Sequence, residues 1–263
     1  MIKIENVEVM GWEAAVRGMR NPMNSWKRSD SYCICEYGPC DSCEHENDGK
    51  CAYWGKEYTI GPNDLDLMKK LADAGSVHGK YRRMITVYLD ITAPLYWWKE
   101  FDTYKVGTVA NSCSTMHKIA DKEFTLEDFS CEHLGEDVII NGSNLNISMD
   151  CLNQTIRVLN TARSWYNDTN DKKYWWQMIQ LLPSSYNQKR TVMLNYEVLA
   201  NIYKFRAGHR LDEWRDFCAW IFTLPYSELI TGIDMDVVDK FNSVGNVNPI
   251  SSDELNGVGG NKQ

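Results

Sequence analysis

The stretch MITVYLDIT, Met84 to Thr92, limits the fold more sharply than any other part of the chain. Ile85, Val87, Leu89 and Ile91 alternate with Thr86, Tyr88 and Asp90, the two-residue period of a strand with one buried face. Ala93-Pro94 ends the alternation. The following residues, PLYWWKEFDTYKV, suit a helix with Pro94 at a first-turn position, where its missing N–H costs nothing. Taken alone, that helix would be amphipathic, with Trp97, Trp98 and Phe101 in a core and its charges in solvent. It hands its last residues to a loop running from Gly107 to Ser114. A half-buried strand leading straight into such a helix calls for a sheet with helices packed on it.

The remaining segments extend this pattern. IKIENVEV has strand composition and GWEAAVRGMRN reads as a short helix. PNDLDLMKKLADAG predicts a helix with Asn63 as N-cap, Leu65, Met68, Leu71 and Ala72 on one face, and Gly75 as its stop. The second half reads as helices. SMDCLNQTIRVLNTARSWYN carries Leu152, Ile156, Leu159 and Ala162 on one stripe, and KYWWQMIQLL stops at Pro183. TVMLNYEVLANIYKFRAG ends near Gly208, and LDEWRDFCAWIFTL ends at Pro225. We therefore expect a single domain over residues 1–244, interrupted by a Cys-rich insertion at about 27–60, with a disordered Gly/Asn/Ser-rich tail at 245–263.

A formal charge of −8 and a pI near 5.2 argue against bulk nucleic-acid binding and against capture by an anionic membrane, while leaving room for one local basic pocket. No apolar run approaches the roughly 18 residues of a membrane helix. The opening MIKIENVEVMGWEAAVRG lacks the basic-then-apolar build of a signal peptide. The expected location is cytoplasmic, so the Asn-x-Ser/Thr matches at Asn141, Asn146, Asn153 and Asn167 read as chance sequons. In that compartment the nine cysteines are expected as thiols or metal ligands. Cys33, Cys35, Cys40, Cys43 and Cys51, with His45 among them, supply enough soft ligands for tetrahedral zinc; free thiols and an iron–sulfur centre are the alternatives.

The strand ending in Ala-Pro, the helix after it, the hydroxyl- and thiol-bearing loop and a later Leu-Pro, Asn and Arg series together resemble the flavin-dependent thymidylate synthase family (ThyX). The family carries R-Q-x-x-R-H-R, seven spacer residues and S-x-R directly after an A-P. In the same frame this chain has Lys99-Glu100-Phe101-Asp102-Thr103-Tyr104-Lys105, seven residues, then Cys113-Ser114-Thr115. A family histidine near the flavin falls on His78. The downstream L-P and N-x-R-x-x-x-N-x-x-x-x-R fall on Leu182-Pro183 and on Asn195, Glu197, Asn201 and Arg206. One deleted residue places a further histidine and E-x-R on His209, Glu213 and Arg215. The Cys-rich insertion lies outside the resemblance.

The resemblance implies an α+β fold, with a central antiparallel or mixed sheet and a largely helical second half, assembled as a homotetramer. It implies FAD as cofactor, methylenetetrahydrofolate and NADPH as co-substrates, and reductive methylation of dUMP or a related pyrimidine nucleotide. Carried over residue by residue, Glu100, Lys105 and Cys113 become candidate catalytic groups. His78, Tyr104, Lys105, Asn195, Asn201, Arg206 and His209 become candidate cofactor ligands, and Glu100, Asn111, Cys113, Ser114 and Arg206 candidate substrate ligands. The chain departs from the family at several arginines: the positions of R-H-R hold Thr103 and Lys105, the one after the serine holds Thr115, and the one before L-P holds Ile179. Each charge-assisted contact missing from a phosphate site costs about 1.5–3 kcal/mol. A catalytically degenerate homologue that binds nucleotide or flavin, or regulates, is therefore the second reading.

Overall fold

The structure, a computed structural model, describes residues 2–35, 38–39, 58–135, 138–140 and 143–233. Strand β1 (Lys3–Met10) leads into α1 (Trp12–Arg20), and β2 (Tyr32–Cys35), β3 (Gly38–Pro39) and β4 (Tyr58–Thr59) precede α2 (Pro62–Asp73). Strand β5 (Thr86–Pro94) runs into α3 (Leu95–Phe101), followed by β6 (Val109–Ser112), α4 (Thr115–Lys118), β7 (Val138–Ile140) and β8 (Ser143–Leu145). Then come α5 (Ile147–Thr169), α6 (Lys172–Leu181), β9 (Asn187–Asn195), α7 (Tyr196–Arg206), α8 (Asp212–Ile221) and α9 (Glu228–Thr231). The strands form a four-stranded sheet in the order β1-β5-β9-β6, a three-stranded sheet β3-β2-β4 and the pair β7-β8. The class is α+β, as expected.

The alternation that opens the sequence reading appears as such in β5. Val87, Leu89 and Ile91 are buried, as is Ile85 just before the strand, whereas Tyr88 is exposed. The helix after Pro94 buries Trp97, Trp98 and Phe101. Two other expectations need correction. The α2 helix starts at Pro62 with Gly61 as its N-cap, so Asn63 does not cap it. The carboxylate of Asp30 arrives from a distant segment and accepts from the N–H groups of Asn63 (2.9 Å) and Asp64 (3.0 Å), which leaves no need for a local cap. The run TVMLNYEVLANIYKFRAG is not one helix. Thr191–Asn195 belong to β9, between β5 and β6 in the sheet, and the Asn195 side chain caps α7 by accepting from Val198 N at 3.0 Å. Sheet pairing overrode the helical composition. The loop from Gly107 to Ser114 likewise contains β6.

By internal contacts the chain divides into two compact units, Met1–Asn6, Leu89–Lys105 and Val109–Val192 in the first and Val7–Tyr88, Val106–Thr108 and Met193–Gln263 in the second. In the first, Ile119, Phe124, Phe129, Leu152, Leu159 and Met178 share one core. The ring of Trp97 packs edge-on against Trp98 and stacks on Phe101. In the second, Tyr81, Tyr196, Trp214, Phe217 and Met68 are fully buried, and Trp12 meets Tyr196 and Tyr226 edge-on with ring centres 5.2 Å apart. Burying each such side chain contributes about 1.5–3 kcal/mol.

The second unit also contains a buried ion pair. Arg20 Nε donates to Asp64 Oδ1 at 2.6 Å, with the two side chains only 5% and 0% exposed. The other oxygen, Oδ2, accepts from Ser29 Oγ (2.6 Å), Ser31 Oγ (2.6 Å), Ser31 N (3.1 Å) and Asp30 N (3.2 Å). These contacts anchor the segment entering the insertion. The antiparallel pairing of Tyr32 with Thr59 and Cys33 with Tyr58 joins its two ends.

Candidate functional site

In the second unit, Val106-Gly107, the start of α7, the 3-10 turn Gly79–Met84 and α9 surround a cavity of about 1190 Å³. Gly107 has φ +79°, and a Cβ there would stand 2.9 Å from Asn195 Nδ2, so only glycine lets this turn lie against the α7 cap. Asn195 and, farther along the helix, the exposed Asn201 both line the cavity. Glu197, between them, pairs with Arg82 at 2.7 Å, and Arg82 Nη1 also donates to Leu229 O at 3.2 Å. The Arg82 Nε–H is buried and has no hydrogen-bond partner among the described residues. Arg83, Lys204 and the Lys69–Glu228 pair (3.7 Å) add further charge to the lining. Such a wall offers amide, guanidinium and ammonium donors to a polar, anionic ligand.

A second cavity of about 1570 Å³ in the same unit is walled by the turns of residues 21–28, by α2 and by residues 77–84. His78 lies here, exposed, and not in the first cavity. Of the cations on the lining, Arg20 is paired with Asp64 and Lys70 with Asp66, while Lys27, Arg28, Lys80 and Arg83 leave the pocket locally basic in this acidic chain. Arg83 lines both cavities.

The first unit carries the other candidates. Glu100 is half-buried near the end of α3, and its carbonyl accepts from Thr103 Oγ1 at 2.7 Å. Tyr104 is half-buried and Lys105 exposed. Asn111, in β6, is exposed, as is the Cys113 thiol. The Cys113 N–H donates to Lys189 O at 2.9 Å, while its carbonyl accepts from Gln188 Nε2 at 3.0 Å. Ser114 Oγ caps α4, accepting from His117 N at 3.1 Å. Arg190 lies over the Trp98 ring at 4.1 Å, donating through Nε to Gln188 Oε1 (2.9 Å) and through Nη1 to Asp102 Oδ1 (2.7 Å).

Arg206 and His209 turn toward α8 and do not line either cavity. The Arg206 guanidinium lies 4.9 Å from the centre of the Trp214 ring. It also faces Cys218, whose thiol burial pushes up to about 12 against the opposing pull of that cation. The His209 ring sits edge-on to Trp214, and its Nδ1 accepts from Leu211 N at 3.2 Å. Cys40, Cys43, Cys51 and His45 lie outside the described residues, as do the side chains of Cys33 and Cys35 and the tail 245–263. Among the described residues no group of three or more His, Cys, Asp or Glu is placed to hold a metal. No described helix is long and apolar enough to cross a membrane.

The structure thus gathers Asn195 and Asn201 at one cavity and ties the Cys113 loop to the α3 end through two residues that the sequence reading passed over, Gln188 and Arg190. Arg82 was passed over too. Its only signal in the sequence is an Arg-Arg pair just before a strand.

No protein-family model matches the chain, and no curated protein does. Solved structures match over nearly its whole length. Thymidylate synthase X (ThyX) from Helicobacter pylori, solved with FAD and dUMP, aligns with a TM-score of 0.57 at 14% identity, covering 88% of this chain and 97% of its own. A second structure of that enzyme, also complexed with FAD and dUMP, gives 0.55 at 14% identity, with 88% and 96% covered. The fold is ThyX-like. The UMP/dUMP methylase PolB from Streptomyces cacaoi, bound with 5-Br dUMP, aligns at 0.51 and 16% identity over 95% of this chain and 98% of its own.

Proposed function

We propose that this ThyX-like protein binds FAD and a pyrimidine nucleotide, dUMP or UMP, and methylates the base reductively, with methylenetetrahydrofolate and NADPH as co-substrates and a homotetramer as the working assembly. The observation that carries the reading is the cavity at the start of α7. Asn195 and Asn201 line it beside a buried guanidinium whose Nε–H lacks an acceptor, and the glycine turn at 107 is packed against the cap. The amides of Asn195 and Asn201 and the cations of Arg83 and Lys204 on the same lining would meet the phosphate and ring oxygens of a dinucleotide. The residues therefore fit FAD. Bound there, FAD would supply the hydride chemistry that no side chain provides.

The chain's own groups orient and balance charge. In this proposal Asn195, Asn201 and Arg82 hold the cofactor. Glu100, Lys105, Asn111, Cys113 and Ser114 face the nucleotide, Lys105 supplying positive charge where the family has arginine. Zinc bound by Cys33, Cys35, Cys40, Cys43 and Cys51 would stabilise the insertion. One observation favours the degenerate reading instead: the Thr103 hydroxyl, at an R-H-R position, is spent on the carbonyl of Glu100 within its own turn.

An absorbance spectrum of the purified protein, with mass analysis of what copurifies, tests flavin, nucleotide and metal together. Yellow protein that forms methylated nucleotide from dUMP or UMP supports the enzyme. Flavin or nucleotide binding without product supports the degenerate homologue, and protein that stays colourless after FAD is added refutes both.

A further inference from the structure

The relay Asp102–Arg190–Gln188–Cys113 crosses from the end of α3 to the loop after β6. Arg190 is held on three sides, by the Trp98 ring, Asp102 and Gln188, with its side chain 14% exposed. Gln188 is buried at 9% exposure, and its backbone carbonyl accepts from Trp98 Nε1 at 2.9 Å. Its side-chain amide is thereby fixed in orientation: Oε1 faces Arg190, so Nε2 must point at the Cys113 carbonyl. A buried amide whose two ends are each used by a different element leaves the loop little freedom. The α3 end bears Glu100, Tyr104 and Lys105, and the loop bears Cys113 and Ser114.

We propose that Gln188 and Arg190 are positioning residues that set the Cys113–Ser114 loop against the end of α3, so that the two segments together hold a pyrimidine nucleotide. This rests on the functional reading above, which assigns those segments to the nucleotide. Neither residue touches the ligand in this scheme. Arg190 orients Gln188, and Gln188 places the loop.

Gln188→Glu separates this role from plain packing. The carboxylate still accepts from Arg190 Nε, so the Arg190 contacts survive, but it can no longer donate to the Cys113 carbonyl. Hydrogen exchange across residues 109–116 should quicken in the variant without any ligand, while α3 stays protected. Affinity for dUMP and UMP, measured by calorimetry on the full chain, should fall about tenfold, the worth of one positioning hydrogen bond. FAD affinity should stay at its wild-type value, and Arg190→Ala should weaken nucleotide binding further.

Unchanged exchange in the loop would overturn the proposal, as would quickened exchange with unaltered nucleotide affinity. A parallel loss of FAD affinity, nucleotide affinity and melting temperature would mean that the relay is structural only, and would also overturn it. If the wild-type protein binds neither dUMP nor UMP, the nucleotide reading and this role fall together, while the exchange data still report whether Gln188 restrains the loop.

Discussion

Substituting Asp64 by Asn tests whether the buried ion pair holds the second unit together. The change keeps the side chain's size and removes its charge. Arg20, 5% exposed, would then face a neutral amide. At the other end, an Nδ2 placed at the Oδ2 position would confront the N–H groups of Asp30 and Ser31 and two serine hydroxyls that now donate. Breaking a buried pair by removing one partner costs about 3–5 kcal/mol. At about 2–4 °C per kcal/mol for a chain of this size, the melting temperature should fall by roughly 6–20 °C. Scanning calorimetry of the two proteins at neutral pH measures it.

The pH dependence follows from the same geometry. Burial pushes the Asp64 carboxyl up, but hydrogen bonds from Ser29, Ser31 and Arg20 outweigh it and hold the group below its ordinary value of 3.8. A depressed carboxylate stabilises the folded state above its unfolded value and loses that contribution as pH falls through the folded one. The gap between wild type and Asp64→Asn should therefore be full at neutral pH and narrow below about pH 4. A gap under about 1 kcal/mol at pH 7 would refute the reasoning, because a loss that small belongs to a solvated surface pair.

Gly107→Ala forces a left-handed backbone at a cost of about 1–2 kcal/mol and drives a Cβ toward the Asn195 amide; FAD titration should show weaker binding. Glu197→Gln leaves the largely buried Arg82 cation without its carboxylate, for a loss of about 1–3 kcal/mol in chemical denaturation, and restoring the pair in reverse as Arg82→Glu with Glu197→Arg should regain part of it. Lys105→Ala should raise the KM for the nucleotide about tenfold or more, the worth of a charge-assisted contact, with an unaltered melting temperature, since the Lys105 side chain is exposed. An unchanged KM would remove Lys105 from the site.

The sequence by itself determined the elements whose signal is local. The strand through Ile91 shows a two-residue period from Ile85 to Ile91, and the helix after Pro94 carries three large aromatics on one side, so steric preference and burial agree before any partner is known. The frame from Lys99 to Thr115 and the Asn195–Arg206 spacing also pointed to a ThyX-like fold, because spacing along a chain survives where side-chain identities do not.

Only the tertiary structure decided which strand Thr191–Asn195 would join, since its helix-like composition was overridden by hydrogen bonding between β5 and β6. It alone brought Asp30 to the start of α2, Arg82 to Glu197, and Arg190 through Gln188 to Cys113, pairs 34, 115 and 77 residues apart. A charge or amide in sequence carries no mark of its partner. Long-range polar contacts depend on where the backbone delivers both groups, and the cost of leaving either one unsatisfied appears only once they are buried together. For the same reason Arg206, well placed in sequence for an anion, is turned by its helix toward Trp214, while the guanidinium at the cavity comes from Arg82.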